Sequence, residues 1–280
     1  MLKHYLALVK PGIIIGNVIT AICGFFLASR GGIDGKTGLF LSVGIALVIA
    51  SACIVNNLQD VLIDSKMERT KKRPLVNGAV SARSAILWAV GFSGCGFLLL
   101  WTQTTPVAAI YSGLAFVIYT AIYTPLKLHT HHATLIGAVA GALPPVVGYT
   151  AVDPSFTLEC GILFLLILFW QMPHFGAIAI YRRSDYLAAS IPVTSIKKGL
   201  AWAVGEIKLY TLFYGVAVVA LGWVSKLGFF YWTIMLILGA VWHYIAFVES
   251  SCLAVEIWAK KMFRFSLVVV LGLLPAILFG

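Results

Sequence analysis

The chain has 280 residues, 61% of them hydrophobic and 11% charged, with a mean hydropathy of +0.98. A soluble globular domain carries about 45–50% apolar and about 25% charged residues, so a water-soluble enzyme is excluded. A disordered chain, which needs low hydrophobicity and high net charge, is excluded as well. The net charge of +10 does not indicate a nucleic-acid partner, because the basic residues gather in short loops between apolar runs.

At about 20 residues per crossing, the length accommodates roughly nine or ten membrane helices and no sizeable extramembrane domain. In chain order, the apolar runs predict helices over 12–29, 38–57, 84–102, 106–125, 133–151, 158–180, 201–223, 228–248 and 263–279. The expected fold is all-α, a single transmembrane domain over residues 1–280 embedded in the lipid bilayer. The first run follows Lys3 and Lys10, is long and has no convincing cleavage site, so it reads as a retained helix. An odd number of crossings puts the termini on opposite sides. With the N-terminus inside, only Arg30, Lys36 and Lys226 of the 20 basic residues fall outside, as the positive-inside rule demands. The expectation is a multi-pass inner-membrane protein with a cytoplasmic N-terminus and a periplasmic or extracellular C-terminus.

The five cysteines lie singly in or beside apolar runs, with no CxxC pair, and read as small apolar helix residues. Gly91, Gly94 and Gly96 sit inside an apolar run, so close helix packing explains them better than a dinucleotide loop. The two longest connections, near 58–83 and 181–200, follow the second and sixth runs, as in a duplicated four-helix unit. That symmetry keeps a transporter open as an alternative. A transporter places polar groups at mid-bilayer, however, whereas the charges here cluster at the cytoplasmic edge.

The stretch from Asn56 to Asp64 is the most informative. At 100° per residue, Asn56, Asn57, Asp60 and Asp64 share one helix face, while Leu58, Val61, Leu62 and Ile63 occupy the others. Two carboxylates one turn apart repel each other, and a charge at mid-bilayer costs about 3 kcal/mol. A cation between them relieves both penalties, and oxygen-only ligands suit Mg²⁺ rather than zinc. Lys66, Arg69, Lys71, Lys72 and Arg73 follow directly. Carboxylates with Mg²⁺ beside guanidinium and ammonium groups make a receptacle for a diphosphate. The alternative is a solvated helix end with a basic loop. In the second long loop, Arg182 and Arg183 precede a lone Asp185, which by itself reads as a helix-end charge pair.

At these residues the chain resembles the intramembrane aromatic prenyltransferases, the UbiA-type superfamily. Asn56, Asn57, Asp60 and Asp64 match its NDxxDxxxD signature, with Asn57 where many members carry the first aspartate. That substitution is typical of one branch, the protoheme IX farnesyltransferases (heme O synthases). Met67 to Leu75 is similar to the MxRTxxRPL run of that branch. Lys10-Pro11-Gly12, Gly141-Ala142-Leu143-Pro144-Pro145 and Trp170-Gln171-Met172-Pro173-His174-Phe175 extend the likeness over nearly the whole chain.

The resemblance implies nine helices around a central cavity with the reaction at its cytoplasmic mouth. It implies farnesyl diphosphate and heme B as substrates, heme O as product and Mg²⁺ as cofactor. Asn57, Asp60 and Asp64 would carry the metal, and Arg69, Lys72 and Arg73 would assist with the diphosphate, joined by Lys127 and Arg182. Asp185 would answer the second aspartate of the superfamily's other DxxxD motif, in which Tyr181 replaces the first. A heme-copper terminal oxidase or its assembly factors would receive the product. A quinone precursor such as 4-hydroxybenzoate is the alternative acceptor.

Tyr119 and Tyr123, with Lys127 a further turn on, present one polar face toward the cytoplasmic end. Two readings stand: cavity walls whose π faces stabilise positive charge, or interfacial anchors. His4 and His243 read as structural, and His129, His131 and His132 as a solvated loop or as contacts to heme propionates or metal. His174 follows Pro173 inside an apolar run, either as a packing residue or as a contact to heme.

Overall fold

A computed structural model describes residues 2–280. Among these residues it has nine helices long and apolar enough to cross a membrane. They are α1 (Pro11–Ser29), α2 (Gly35–Gln59), α3 (Ala82–Gln103), α4 (Pro106–Leu126), α5 (Ala133–Thr150), α6 (Leu158–Tyr181), α7 (Leu200–Val224), α8 (Phe229–Phe247) and α9 (Val255–Phe279). The expected spans are met to within a few residues except at α9, which begins at Val255 rather than at 263. Glu256, Lys260 and Lys261 lower the apolar count there, yet the turns are amphipathic. Trp258, Ala259 and Met262 are fully buried, while both lysines face outward.

A short helix, Leu2–Val9, precedes α1 and was not expected from hydropathy. It buries Leu8 against Ile54 and Ala85, and its Tyr5 hydroxyl lies 2.8 Å from Ser84 Oγ, so it covers the ends of α2 and α3. Lys10 joins it to α1 in a left-handed conformation (φ 53°).

The first five spanning helices pack as one group and α6–α9 as a second, joined by α5 against α6 and α9 against α1. The largest buried cluster runs through this seam, from Cys23 and Ala142 to Trp242 and Trp258. Exposed apolar side chains such as Leu87, Val90, Leu98, Trp223 and Phe229 form the outer surface, the arrangement expected of helices solvated by lipid.

Helix α5 is the central strut: Ala142 to Ala151 are all buried. It crosses α1 backbone to backbone. A Cβ on Gly148 would stand 1.7 Å from the Ala21 carbonyl oxygen, and one on Gly24 would stand 1.9 Å from that of Pro145. Small residues allow this approach, which carries helix association where no hydrophobic drive exists. Gly148→Ala is therefore expected to lower detergent-phase stability by about 1–3 kcal/mol, read as an earlier thermal-aggregation midpoint. Gly91→Ala, with nothing within 4 Å of its added Cβ, is the matched control. That control corrects the reading of the glycine triplet: only Gly96 packs closely, against Gly44 and Val48, while Gly91 and Gly94 lie on the exposed side of α3.

Candidate active site

A cavity of about 780 Å³ opens between the two groups of helices, its walls drawn from α1, α2, α4, α5, α6 and α9. Ile45, Val48, Phe116, Val147, Ile167 and Val270 make its deep part apolar. Its mouth carries Asp64, Arg69, Arg73, Lys127 and Arg182.

The acidic cluster straddles the end of α2. Asp60 leaves the helix in a turn (φ −90°, ψ −1°) and a four-residue helical turn, Val61–Asp64, follows. The i→i+4 bonds from Asp60 N to Asn56 O (3.0 Å) and from Asp64 N to Asp60 O (2.8 Å) persist across the break. The side chains thus keep to one side, as the helical spacing predicts. Both carboxylates are buried, Asp60 at 6% exposure and Asp64 at 1%.

Each carboxylate has its own cation. Lys127 Nζ donates to both oxygens of Asp60 (2.6 and 2.5 Å). Arg73 donates to Asp64 Oδ2 (2.5 Å) and to Asn57 Oδ1 (3.2 Å). Lys10 Nζ donates to Asn56 Oδ1 (2.7 Å), and Asn56 Nδ2 to Thr124 Oγ1 (3.0 Å). Asn57 Nδ2 donates to the carbonyl of Leu8, which ties the N-terminal helix to the site. Burial draws the Lys10 ammonium down to about 8, with the Arg73 charge adding to the shift and Asp60 and Asp64 opposing it. At that value the ammonium still holds its proton at neutral pH, as its donation to Asn56 requires.

Tyr119 and Tyr123 stand on a π-helical segment, Ile118–Tyr123, within α4. Pro125 has no N–H to continue the regular ladder, and Thr124 gives both its N–H and its hydroxyl to the Tyr119 carbonyl. The widened turn stacks the two rings at 5.5 Å and sets Lys127 Nζ 5.8 Å from the Tyr123 centroid. Both tyrosines line the cavity, which favours the cavity-wall reading over interfacial anchoring.

The second long loop meets the first at the same end of the molecule. Met67 packs with Ala189 and Ile191, and Glu68 N donates to Asp185 Oδ1 (3.2 Å). Asp185 is buried in this inter-loop bond, apart from Asp60 and Asp64. Among the described residues, no three acidic, histidine or cysteine side chains converge as a metal site. Arg69, Arg73, Lys127 and Arg182 line the cavity, whereas Lys72 is exposed and stands outside its wall. Burial pushes the Tyr186 hydroxyl up and keeps it protonated beside Arg69.

His174 is in the wall on α6. Its Nδ1 lies 2.7 Å from Ser266 Oγ, and its ring stacks on Trp170 at 4.9 Å. His131 reaches the mouth, its Nε2 buried and without a partner among the described residues, while His129 is exposed. Burial lowers the His131 pKa and the neighbouring His132 adds to this. His243 bonds the Gly239 carbonyl within its own helix, as a structural histidine does. Lys10, Thr124, Tyr186 and Ser266 are site residues that motif spacing does not reveal, because none lies beside the acidic cluster in sequence. Only the Lys-Pro pair at the start of α1 offered a signal.

The model of the UbiA prenyltransferase family matches residues 17–268. The chain belongs to that family. Within it, protoheme IX farnesyltransferase 2 of Pseudomonas fluorescens (strain Pf0-1) is 41% identical over 273 residues, covering 97% of this chain and 92% of the relative. The protoheme IX farnesyltransferase of Cronobacter sakazakii is 42% identical over 276 residues, 98% of this chain and 93% of the relative. Among solved structures, a digeranylgeranylglyceryl phosphate synthase superposes with a TM-score of 0.80 at 19% identity, covering 100% of this chain and 98% of that one. A UbiA homologue from Archaeoglobus fulgidus bound to DMAPP and Mg²⁺ gives 0.74 at 15% identity, over 95% and 98% of the two chains. The UbiA fold of nine membrane helices around a cavity is thus established for a prenyltransferase with a charged mouth and an apolar interior.

Proposed function

We propose that this UbiA-family enzyme is a heme O synthase, transferring the farnesyl group of farnesyl diphosphate to a vinyl group of heme B. The carrying observation is a cavity with an apolar interior and with Asp64 and four cations at its mouth, one of them Lys127 bound to the buried Asp60 behind it, in a chain 41–42% identical to named protoheme IX farnesyltransferases. The whole of residues 1–280 acts as one transmembrane prenyltransferase domain.

Arg69, Arg73, Lys127 and Arg182 bind the diphosphate oxygens. Each of the salt-bridged pair, Arg73 and Lys127, exchanges a carboxylate partner for a phosphate one or shares itself between them. Asp60, Asp64 and Asn57 offer only hard oxygen donors, and both carboxylates already attract cations, so this set fits Mg²⁺ and would hold it. The bound ion supplies charge neutralisation to the leaving diphosphate. Asp185 braces the two loops that frame the phosphate side.

The allylic C–O bond breaks, and its electron pair leaves on the diphosphate. The farnesyl C1 bonds to the terminal vinyl carbon of heme. Water then adds to the resulting cation and loses a proton, leaving a hydroxyethylfarnesyl group. The π faces of Tyr119 and Tyr123 stabilise the transient positive charge, and the apolar wall keeps water from it until the vinyl has reacted. His174 contacts the heme. Asn57 and the tryptophan-to-histidine stretch of α6 favour heme over a quinone precursor as acceptor. The product passes to a heme-copper terminal oxidase or its assembly factors.

Purified protein given heme B, farnesyl diphosphate and Mg²⁺ is expected to yield heme O by mass spectrometry of the extracted hemes. Prenylated 4-hydroxybenzoate in place of heme O would move the acceptor to the quinone class.

The protein sits in the inner membrane with its N-terminus and cavity mouth toward the cytoplasm. Arg30, Lys226 and Gly280 share a small pocket at the opposite end, so two of the three outer basic residues lie beside the C-terminus. Cysteines introduced at Gly78 and Ser190 are expected to resist an impermeant maleimide on intact cells and to react in inverted vesicles. Labelling of either from the periplasmic side reverses the orientation.

A further inference from the structure

Ser266 lies on α9, fully buried, and bonds α6 twice. Its carbonyl accepts from Trp170 Nε1 (2.7 Å) and its Oγ lies 2.7 Å from His174 Nδ1. The hydroxyl has a single hydrogen. That hydrogen goes to the carbonyl of Phe263, 2.6 Å away, because two oxygens so close repel unless a hydrogen lies between them. The contact to His174 then needs a second hydrogen, and the imidazole is its source. His174 is therefore protonated on Nδ1, and a neutral imidazole so protonated carries a bare lone pair on Nε2. Trp170 stacked at 4.9 Å and Phe263 at 5.0 Å hold the ring in this orientation in the cavity wall.

We propose that Ser266 is a positioning residue: through the chain Phe263 C=O, Ser266 Oγ–H and His174 Nδ1–H it fixes the histidine tautomer that turns its Nε2 lone pair to the heme iron. This rests on the reading of His174 as the heme-contacting residue. A second-sphere acceptor of this kind both selects the tautomer and raises the basicity of the ligand nitrogen. A plain interhelical brace would lower stability without altering the protonation of the ring.

The test uses Ser266→Ala, which adds no volume, beside His174→Ala, both in the full-length protein. ¹⁵N-histidine NMR of the wild type is expected to place the His174 proton on Nδ1, and Ser266→Ala to populate the Nε2–H form. Heme titration is expected to show affinity reduced about 10–100-fold in Ser266→Ala with an altered Soret band, while farnesyl diphosphate binding is unchanged. A wild-type proton on Nε2 overturns the proposal. Heme affinity lost in His174→Ala but kept in Ser266→Ala overturns the role of Ser266 alone and leaves the histidine reading standing. Heme affinity kept in His174→Ala removes that reading, and the proposal with it.

Discussion

Asp60→Asn and Asp64→Asn are each expected to lower turnover by about 10²–10³-fold, the cost of removing one preorganised group that stabilises developing charge. Both carboxylates are buried, so the substitutions also release a cation: Lys127 in the first case and Arg73 in the second. Breaking a buried pair costs about 3–5 kcal/mol, so lost activity alone does not separate catalysis from folding. Paired variants do. Asp64→Asn with Arg73→Gln, and Asp60→Asn with Lys127→Gln, remove both charges and are expected to recover much of the stability and none of the activity. Membrane accumulation, thermal aggregation and heme O formation are measured on one preparation. Near-normal heme O from both single variants puts the metal site elsewhere, and recovery of turnover in the paired variants makes these residues mere ion-pair partners.

His174→Ala is expected to cut heme O formation at least tenfold, chiefly by weakening heme binding, because removing a ligand nitrogen exceeds the effect of disturbing its support. The residue lies on α6, far in sequence from the acidic cluster, and no hydrogen bond joins it to the phosphate-side residues among those described. Farnesyl diphosphate binding is therefore expected to persist. Alanine also removes the stacking partner of Trp170, and a purely structural loss would appear as lower thermal stability with both substrates affected alike. Absorbance titration with heme beside a farnesyl diphosphate binding assay separates the two, and unchanged affinity with an unchanged Soret band rules out ligation.

The membrane architecture was readable from composition and run length because a span satisfies its backbone internally and needs only about 20 apolar residues. Each span is thus a local property. The two differences have separate causes. Val255–Met262 carries its charges on the outer side of an amphipathic helix, which lowers its hydropathy, and Leu2–Val9 is too short to cross a membrane. The acidic face of residues 56–64 was legible for the same local reason, since four side chains within three turns keep their angular relation through the break at Asp60.

Pairing was a different matter. Lys127 is 67 positions from the Asp60 it neutralises and His174 is 92 from Ser266. Charge complementarity alone gives Asp60 no reason to choose Lys127 over the five basic residues that follow it. The crossing of α4 over the end of α2, with the π turn at Tyr119–Tyr123, makes that choice. Contact between the two long loops engages Asp185 with the first of them, and the packing of α3 on α2 through Gly96 turns Gly91 and Gly94 outward. Sequence by itself determined how many helices span the membrane, which end carries the charge and what chemistry that charge suits, because hydropathy and side-chain identity act over a few turns. Only the tertiary structure decided which cation meets which carboxylate and which hydroxyl meets His174, because a hydrogen bond forms only where the helix crossing brings two atoms within about 3 Å of each other.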